Sequence, residues 1–139
     1  MATNRIEETL QEKFGPGWKL EKGSWRLNPD ERLDVRSMTQ RMLGLDARFV
    51  AISSLERPDH EIRLDYHWDL DGELVTFELA TWEKKIDTIV DLSPAVDWAE
   101  RETREYYGVE FVGRESTEPL MMRAGDPIGV HLRTEEAKA

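Results

Sequence analysis

Three glutamates on one predicted helix are the strongest candidates in this chain for catalytic side chains. They are Glu100, Glu102 and Glu105. Residues three apart on a helix are neighbours, so Glu102 and Glu105 could act as an acid–base pair. Carboxylates could also bind a di-metal centre, but helical di-metal sites combine them with Glu-x-x-His motifs. Because the sequence has no such motif, we expect these glutamates to form a solvated or partner-facing helix surface.

Other residue types that commonly carry chemistry are few or isolated. The histidines at positions 60, 67 and 131 have no metal-ligand spacing of the H-E-x-x-H kind. The chain has no cysteine, which excludes disulfides, thiolate nucleophiles and cysteine-ligated iron–sulfur clusters and fits an intracellular compartment. Its glycines form no nucleotide-binding motif. We therefore expect no cofactor and no metal.

Length and charge narrow the classes of partner. A chain of 139 residues suffices for one domain with one core. The formal net charge of −10 opposes binding to nucleic acid and to anionic membranes. It is explained equally well by binding to a basic protein surface and by simple solubility. No apolar run approaches the roughly 20 residues of a membrane-spanning helix, so we expect no direct membrane insertion.

Hydrophobic periodicity predicts the helices and strands that hold these residues, in the order αββαβββ followed by one more helix. Alternation is clearest in residues 62–70, where one face should be buried and the other wet. The turn Asp71-Gly72 joins them to 73–82 as an antiparallel hairpin. The capping sequence Asn28-Pro29-Asp30-Glu31 should begin the second helix. The predicted helices are 4–14, 28 to about 45, and 93–107, and the predicted strands are 18–21, 24–27, 48–56, 62–70 and 73–82.

This order indicates an α+β two-layer sandwich, in which two helices pack on one face of a mixed or antiparallel sheet. We expect residues 1–113 to form a single domain that includes the helix 93–107. Residues 114–139 should form an extended C-terminal arm with a disordered tail. The arm carries an apolar cluster without periodicity, Leu120, Met121 and Met122, which is typical of a segment that docks on another protein. The alternative is that this cluster folds back onto the same domain.

The stretch around this last helix also resembles a known family. It begins Asp91-Leu92-Ser93-Pro94-Ala95-Val96-Asp97-Trp98 and continues through Glu100-Arg101-Glu102 and Glu105-Tyr106-Tyr107-Gly108-Val109 to Phe111 and Gly113. This pattern is similar to the signature of the thirty-kilodalton subunit of proton-pumping, respiratory-chain NADH dehydrogenases. The family's basic ending, G-H-P-L-R-K-D, is shortened in this chain to Gly129-Val130-His131-Leu132-Arg133. This departure favours the version of the family found in membrane-bound, energy-converting nickel–iron hydrogenases of the carbon monoxide-induced type.

The resemblance implies a non-catalytic peripheral-arm subunit without a redox centre. Its partners would be the large catalytic subunit and the small iron–sulfur subunit. It would be cytoplasmic, held at the inner membrane through those subunits. The partner interface would comprise Trp98, Glu100, Arg101, Glu102, Glu105, Tyr106, Tyr107, Gly108, Phe111, Gly113, Leu120, Met121 and Met122.

Two alternatives remain open. The first is a stand-alone acidic enzyme that uses Glu102 and Glu105 as its acid–base pair. It requires a concave pocket and a carboxylate whose pKa is raised. The second is a generic acidic protein-binding module, which would need no large apolar arm.

Overall fold

A computed structural model describes residues 2–28 and 34–114 of the chain. The helices are α1 (Ala2–Phe14), α2 (Val35–Gly44) and α3 (Asp97–Tyr107), and a 3-10 turn, Pro94–Val96, leads into α3. The strands are β1 (Lys19–Glu21), β2 (Ser24–Leu27), β3 (Arg48–Glu56), β4 (Ile62–Leu70), β5 (Glu73–Ala80), β6 (Lys85–Asp87) and β7 (Glu110–Val112). The predicted αββαβββ order and α+β class are confirmed, and the later elements follow as a helix with a small second sheet.

The main sheet is mixed. Its strand order is β1-β2-β5-β4-β3, with β2 parallel to β5 and the other neighbours antiparallel. β6 and β7 form a separate parallel pair. The predicted hairpin is confirmed: Asp71 (φ 51°) and Gly72 (φ 84°) both adopt the left-handed conformation that a tight hairpin turn requires. β5 ends at Ala80, earlier than predicted, because the chain then enters a second tight turn.

The core lies on the face of the sheet that carries the even-numbered residues of β4. Leu64, Tyr66 and Trp68 are fully buried there, beside Phe77 of β5. Side chains of both early helices belong to the same cluster, such as Leu10 of α1, so α1 and α2 cover this face. α3 packs beside the edge strand β3.

The opposite face of β4 is less exposed than the alternation predicts. Asp65 is buried, paired with Arg26 and Arg63. His67 is half-buried between the hydroxyls of Ser53 and Thr76, each 2.8 Å from a ring nitrogen. Burial lowers the pKa of His67, while Asp65 and Arg26 act on it in opposite directions. The predicted wet face is therefore a partly buried, hydrogen-bonded polar layer, in which Arg26 and Arg63 pair with Asp65.

The start of α2 also differs from the prediction. The described helix begins at Val35, and its N-cap is Asp34, whose carboxylate accepts a hydrogen bond from Ser37 N at 2.7 Å. Asn28 therefore does not cap this helix, and residues 29–33 lie outside the described part.

Candidate functional site

The segment before α3 is fixed to α2. The guanidinium of Arg36 donates two hydrogen bonds to the carboxylate of Asp91, both 2.8 Å long, and a third to the carbonyl of Thr88. The hydrogen bond from Arg36 holds the pKa of Asp91 below its ordinary value. Pro94 then starts the 3-10 turn, which feeds directly into α3. The beginning of α3 is thereby placed by a bidentate ion pair from another helix.

Glu100 is the buried centre of this region. Its side chain has no exposed surface, and its carboxylate accepts hydrogen bonds from Thr88 Oγ1 (2.5 Å), Ile89 N (3.0 Å) and Arg114 Nη1 (2.9 Å). Burial raises the pKa of Glu100, although these three donors oppose the rise. Glu100 therefore ties α3 to the segment after β6 and to the chain beyond β7.

Arg114 joins the same cluster from the far side. It is nearly buried and also donates to the carboxylate of Asp97, in the first turn of α3. That hydrogen bond is the main reason why the pKa of Asp97 is lowered. Two carboxylates of α3 thus pair with one arginine. Arg114, the first residue of the predicted arm, is therefore fixed to α3.

The end of α3 depends on backbone geometry that glycine supplies. Gly108 adopts the left-handed conformation (φ 71°) as C-cap, and its N–H donates to Arg104 O at 2.9 Å. Phe111 of β7 is buried in the core. Gly113 has φ 96°, and a Cβ there would lie 3.4 Å from Thr88 Cγ2. These residues shape and anchor the exit from α3.

The outward side of α3 carries the predicted residues that remain accessible. Trp98 is 59% exposed, and Arg101 is half-buried beside Asp97. Towards the C-terminal end of α3, Glu102, Tyr106 and Tyr107 line a groove of about 310 Å³ together with Ile52, Ser53, Ser54 and Thr103. α3 thus presents an exposed tryptophan and a shallow groove that contains aromatic, hydroxyl and carboxylate groups.

The expectation that the glutamates form a solvated or partner-facing surface is wrong for two of the three residues, because the chain itself buries them. Glu100 and Glu105 are both buried, and only Glu102 is partly exposed. The spacing did contain the signal: Glu100 lies four residues after Val96 and three before Thr103, both buried, and so shares their helix face. Its charge alone suggested an outward position.

Sequence reasoning did not identify the partners of Glu100. Thr88 and Arg114 lie far from it in sequence, in segments without periodicity. Leu120, Met121 and Met122 of the predicted interface lie outside the described residues, as does the predicted disordered tail. Within residues 2–28 and 34–114, no three His, Asp or Glu side chains cluster as metal ligands. No helix in that part of the chain is both long and apolar enough to cross a membrane.

Comparison with solved structures supports the fold. One match is a chain of the membrane-bound sulfane sulfur reductase, an archaeal respiratory membrane complex, with a TM-score of 0.69, 20% identity, and coverage of 87% of this chain and 76% of that one. Another is the trypsin-resistant fragment (1–134) of Nqo5, with a TM-score of 0.61, 21% identity, and coverage of 84% and 99%. At these identities the likeness establishes the fold. No curated protein matches the chain.

The family comparison reaches further, because it covers most of the chain, α3 included. The family described as respiratory-chain NADH dehydrogenase, 30 Kd subunit, matches residues 28–136. The chain therefore belongs to this family, as an NADH dehydrogenase-like subunit of an oxidoreductase complex in electron transport.

Proposed function

We propose that this chain is a non-catalytic peripheral-arm subunit that docks the large catalytic subunit of an NADH dehydrogenase-like or energy-converting hydrogenase complex. It would lie near the small iron–sulfur subunit and support assembly. Its contribution to electron transfer is to hold those partners in register. Family membership supports the place in a complex, and the outward side of α3 supports the docking role.

The observation that carries this proposal is an exposed tryptophan on a rigidly held helix. Trp98 is 59% exposed, while Glu100 in the same helix is fully buried and bound to three donors. Tryptophan is enriched among residues that dominate protein–protein binding energy. A surface whose support is already ordered loses less conformational entropy on binding. α3 therefore has the properties of a preorganised docking element.

The arm would extend this interface. In our proposal residues 1–113 form the docking domain, and residues 114–139 lie along the large subunit with Leu120, Met121 and Met122 buried against it. Arg114 supports this arrangement, because its two carboxylate partners on α3 fix where the arm begins. The two parts of the interface would then be adjacent.

Location follows from the same partners. We propose that the chain is cytoplasmic and peripheral to the inner membrane, held there by the other subunits and not by insertion of its own. The net charge of −10 supports binding to basic protein surfaces and opposes binding to nucleic acid.

The enzyme alternative receives little support from the geometry. An acid–base pair needs two carboxylates in one accessible pocket, with the pKa of one raised. Burial does raise the pKa of Glu100, but that carboxylate is enclosed and saturated by donors. Glu102 lines the groove, whereas Glu105 is buried and does not line it. A generic acidic module would explain neither the family match nor the fixed exit of the arm.

A matched pair of variants tests the docking proposal. Trp98→Ala removes the exposed side chain on α3, and Leu20→Ala removes one of similar exposure (55%) on β1. Each is co-expressed with the remaining subunits, and the share of this chain that co-purifies with the large subunit is measured. We expect Trp98→Ala to lower the co-purifying share without changing the melting temperature of the isolated protein. We expect Leu20→Ala to leave the co-purifying share unchanged. Equal shares for both variants would refute docking through α3.

A further inference from the structure

A second exposed tryptophan lies apart from α3. Trp82 is 79% exposed, more than any other large hydrophobic side chain in the described residues. It follows β5 and precedes β6, in a turn that shares no residue with the docking surface on α3. An indole left in water on an ordered turn is a candidate anchor for another protein, since tryptophan supplies a large contact area with few rotatable bonds.

The turn that presents Trp82 has an unfavourable backbone conformation that is nevertheless well ordered. Trp82 and Lys85 exchange two backbone hydrogen bonds, of 3.0 and 2.9 Å. Between them, Glu83 (φ 52°) and Lys84 (φ 57°) both adopt the left-handed conformation without being glycine. Such residues are uncommon in that region and persist only where their surroundings hold them.

Glu61 provides that support. Its carboxylate accepts hydrogen bonds from Thr81 Oγ1 (2.7 Å), Lys84 N (2.9 Å) and Glu83 N (2.9 Å). Burial raises the pKa of Glu61, but these three donors outweigh it and the pKa is lowered. The side chain of Thr81 also accepts from Ile62 N, which connects the turn to β4. Trp82 is thus held outward by a charged anchor.

A cleft of about 780 Å³ opens beside this indole. Val35, Leu79 and Ile86 supply apolar surface, and Arg57 and Lys85 are its basic lining residues. Carboxylates outnumber them, and they are Asp34, Asp59, Glu61, Glu78 and Asp87. The combination of an exposed aromatic face with nearby carboxylates suits a cation whose apolar stem can enter the cleft.

We propose that Trp82 and this cleft form a second docking surface, which binds a basic segment of another subunit of the same complex through an arginine or lysine stacked on the indole. The charge of the lining residues and the chain's net charge of −10 both complement such a segment. The proposal rests on the proposed function only in taking the partner from the same complex. It requires none of the residues of α3.

Photo-cross-linking tests the surface in the assembled complex. Position 82 carries p-benzoylphenylalanine in this chain, all subunits are co-expressed, and the cross-linked peptides are identified by mass spectrometry; positions 98 and 20 serve as matched sites. We expect position 82 to cross-link to a subunit segment with an excess of lysine and arginine. Cross-links from position 82 only to this chain, only to a segment without that excess, or to nothing would overturn the proposal.

The sites separate the two proposals. Cross-links to the large subunit from position 98 alone would leave the proposed function standing and remove the second surface. A cross-link from position 82 to a basic segment, with none from position 98, would support the second surface and contradict docking through α3.

Variants then test the stacking contact. We expect Trp82→Ala to weaken retention of this chain in the purified complex as salt is raised, with the dissociation constant rising about tenfold. Trp82→Phe keeps an aromatic face and should lose less. Equal loss for both variants would contradict stacking, and no loss for either would remove Trp82 from the interface.

Discussion

At the scale of single residues, Glu100 shows how a charged side chain can belong to the core. Its carboxylate accepts three hydrogen bonds. A buried charge is tolerated only when it is paired and hydrogen-bonded in this way. Its position on the buried face of the helix could be predicted from the sequence, because Glu100 lies four residues after Val96 and three before Thr103. Its partners could not, since Thr88 and Arg114 reach it through tertiary packing.

Glu100→Ala should therefore destabilise the isolated protein strongly. The change leaves Thr88 Oγ1 and Ile89 N without their acceptor and removes one of the two carboxylates paired with Arg114. Breaking a buried ion pair typically costs about 3–5 kcal/mol. Glu102→Ala, on the same helix but partly exposed, should change the free energy of unfolding by about 0.5 kcal/mol or less. Urea denaturation of both variants makes the comparison. Similar stabilities would contradict the anchoring role of Glu100.

At the scale of elements, local chemistry made the long hairpin predictable. The alternation in β4 and the turn at Asp71-Gly72 both depend only on residues that are adjacent in sequence. The two strands pair as predicted. The β6–β7 pair was not predictable, because each strand has three residues and their pairing joins distant parts of the chain. The turn at Trp82 was not predictable either, because it contains no glycine. Its left-handed residues are held by Glu61, which lies in another loop.

Stability linked to this turn should depend on pH with a definite sign. The pKa of Glu61 is lowered in the folded protein from an ordinary value of 4.5. Its contribution is therefore present above that value and is lost as pH falls through the folded pKa. We expect the stability advantage of the wild type over Glu61→Gln, measured by urea denaturation at successive pH values, to shrink in that window. An advantage that stays constant or grows on acidification would contradict the anchoring of the turn by ionised Glu61.

At the scale of the whole molecule, a small α+β domain presents two exposed tryptophans on rigid supports, Trp98 on α3 and Trp82 on the β5–β6 turn. Its family consists of subunits of larger complexes, so exposed aromatic side chains that can contact other subunits are expected. The signature around α3 made the family recognisable from sequence. The turn at Trp82 carried no comparable signal.

The arm can be tested separately from the domain. Replacing Leu120 and Met121 together by Asp should leave the melting temperature of the isolated protein nearly unchanged, because we assign these residues to a partner contact and not to the core. The same change should reduce co-purification with the large subunit, since charged groups would enter an apolar interface. Unfolding of the isolated double variant, with normal assembly of any protein that stays folded, would place the arm in the core instead.

A cryo-electron microscopy structure of the purified complex would show directly whether α3 docks this chain on the large subunit. The quantity to measure is the accessible surface of Trp98, which is 59% exposed in the isolated chain. We expect Trp98 to be buried against the large subunit, with the arm continuing from Arg114 along the same partner. A complex in which Trp98 remains in solvent while another surface makes the contact would contradict it.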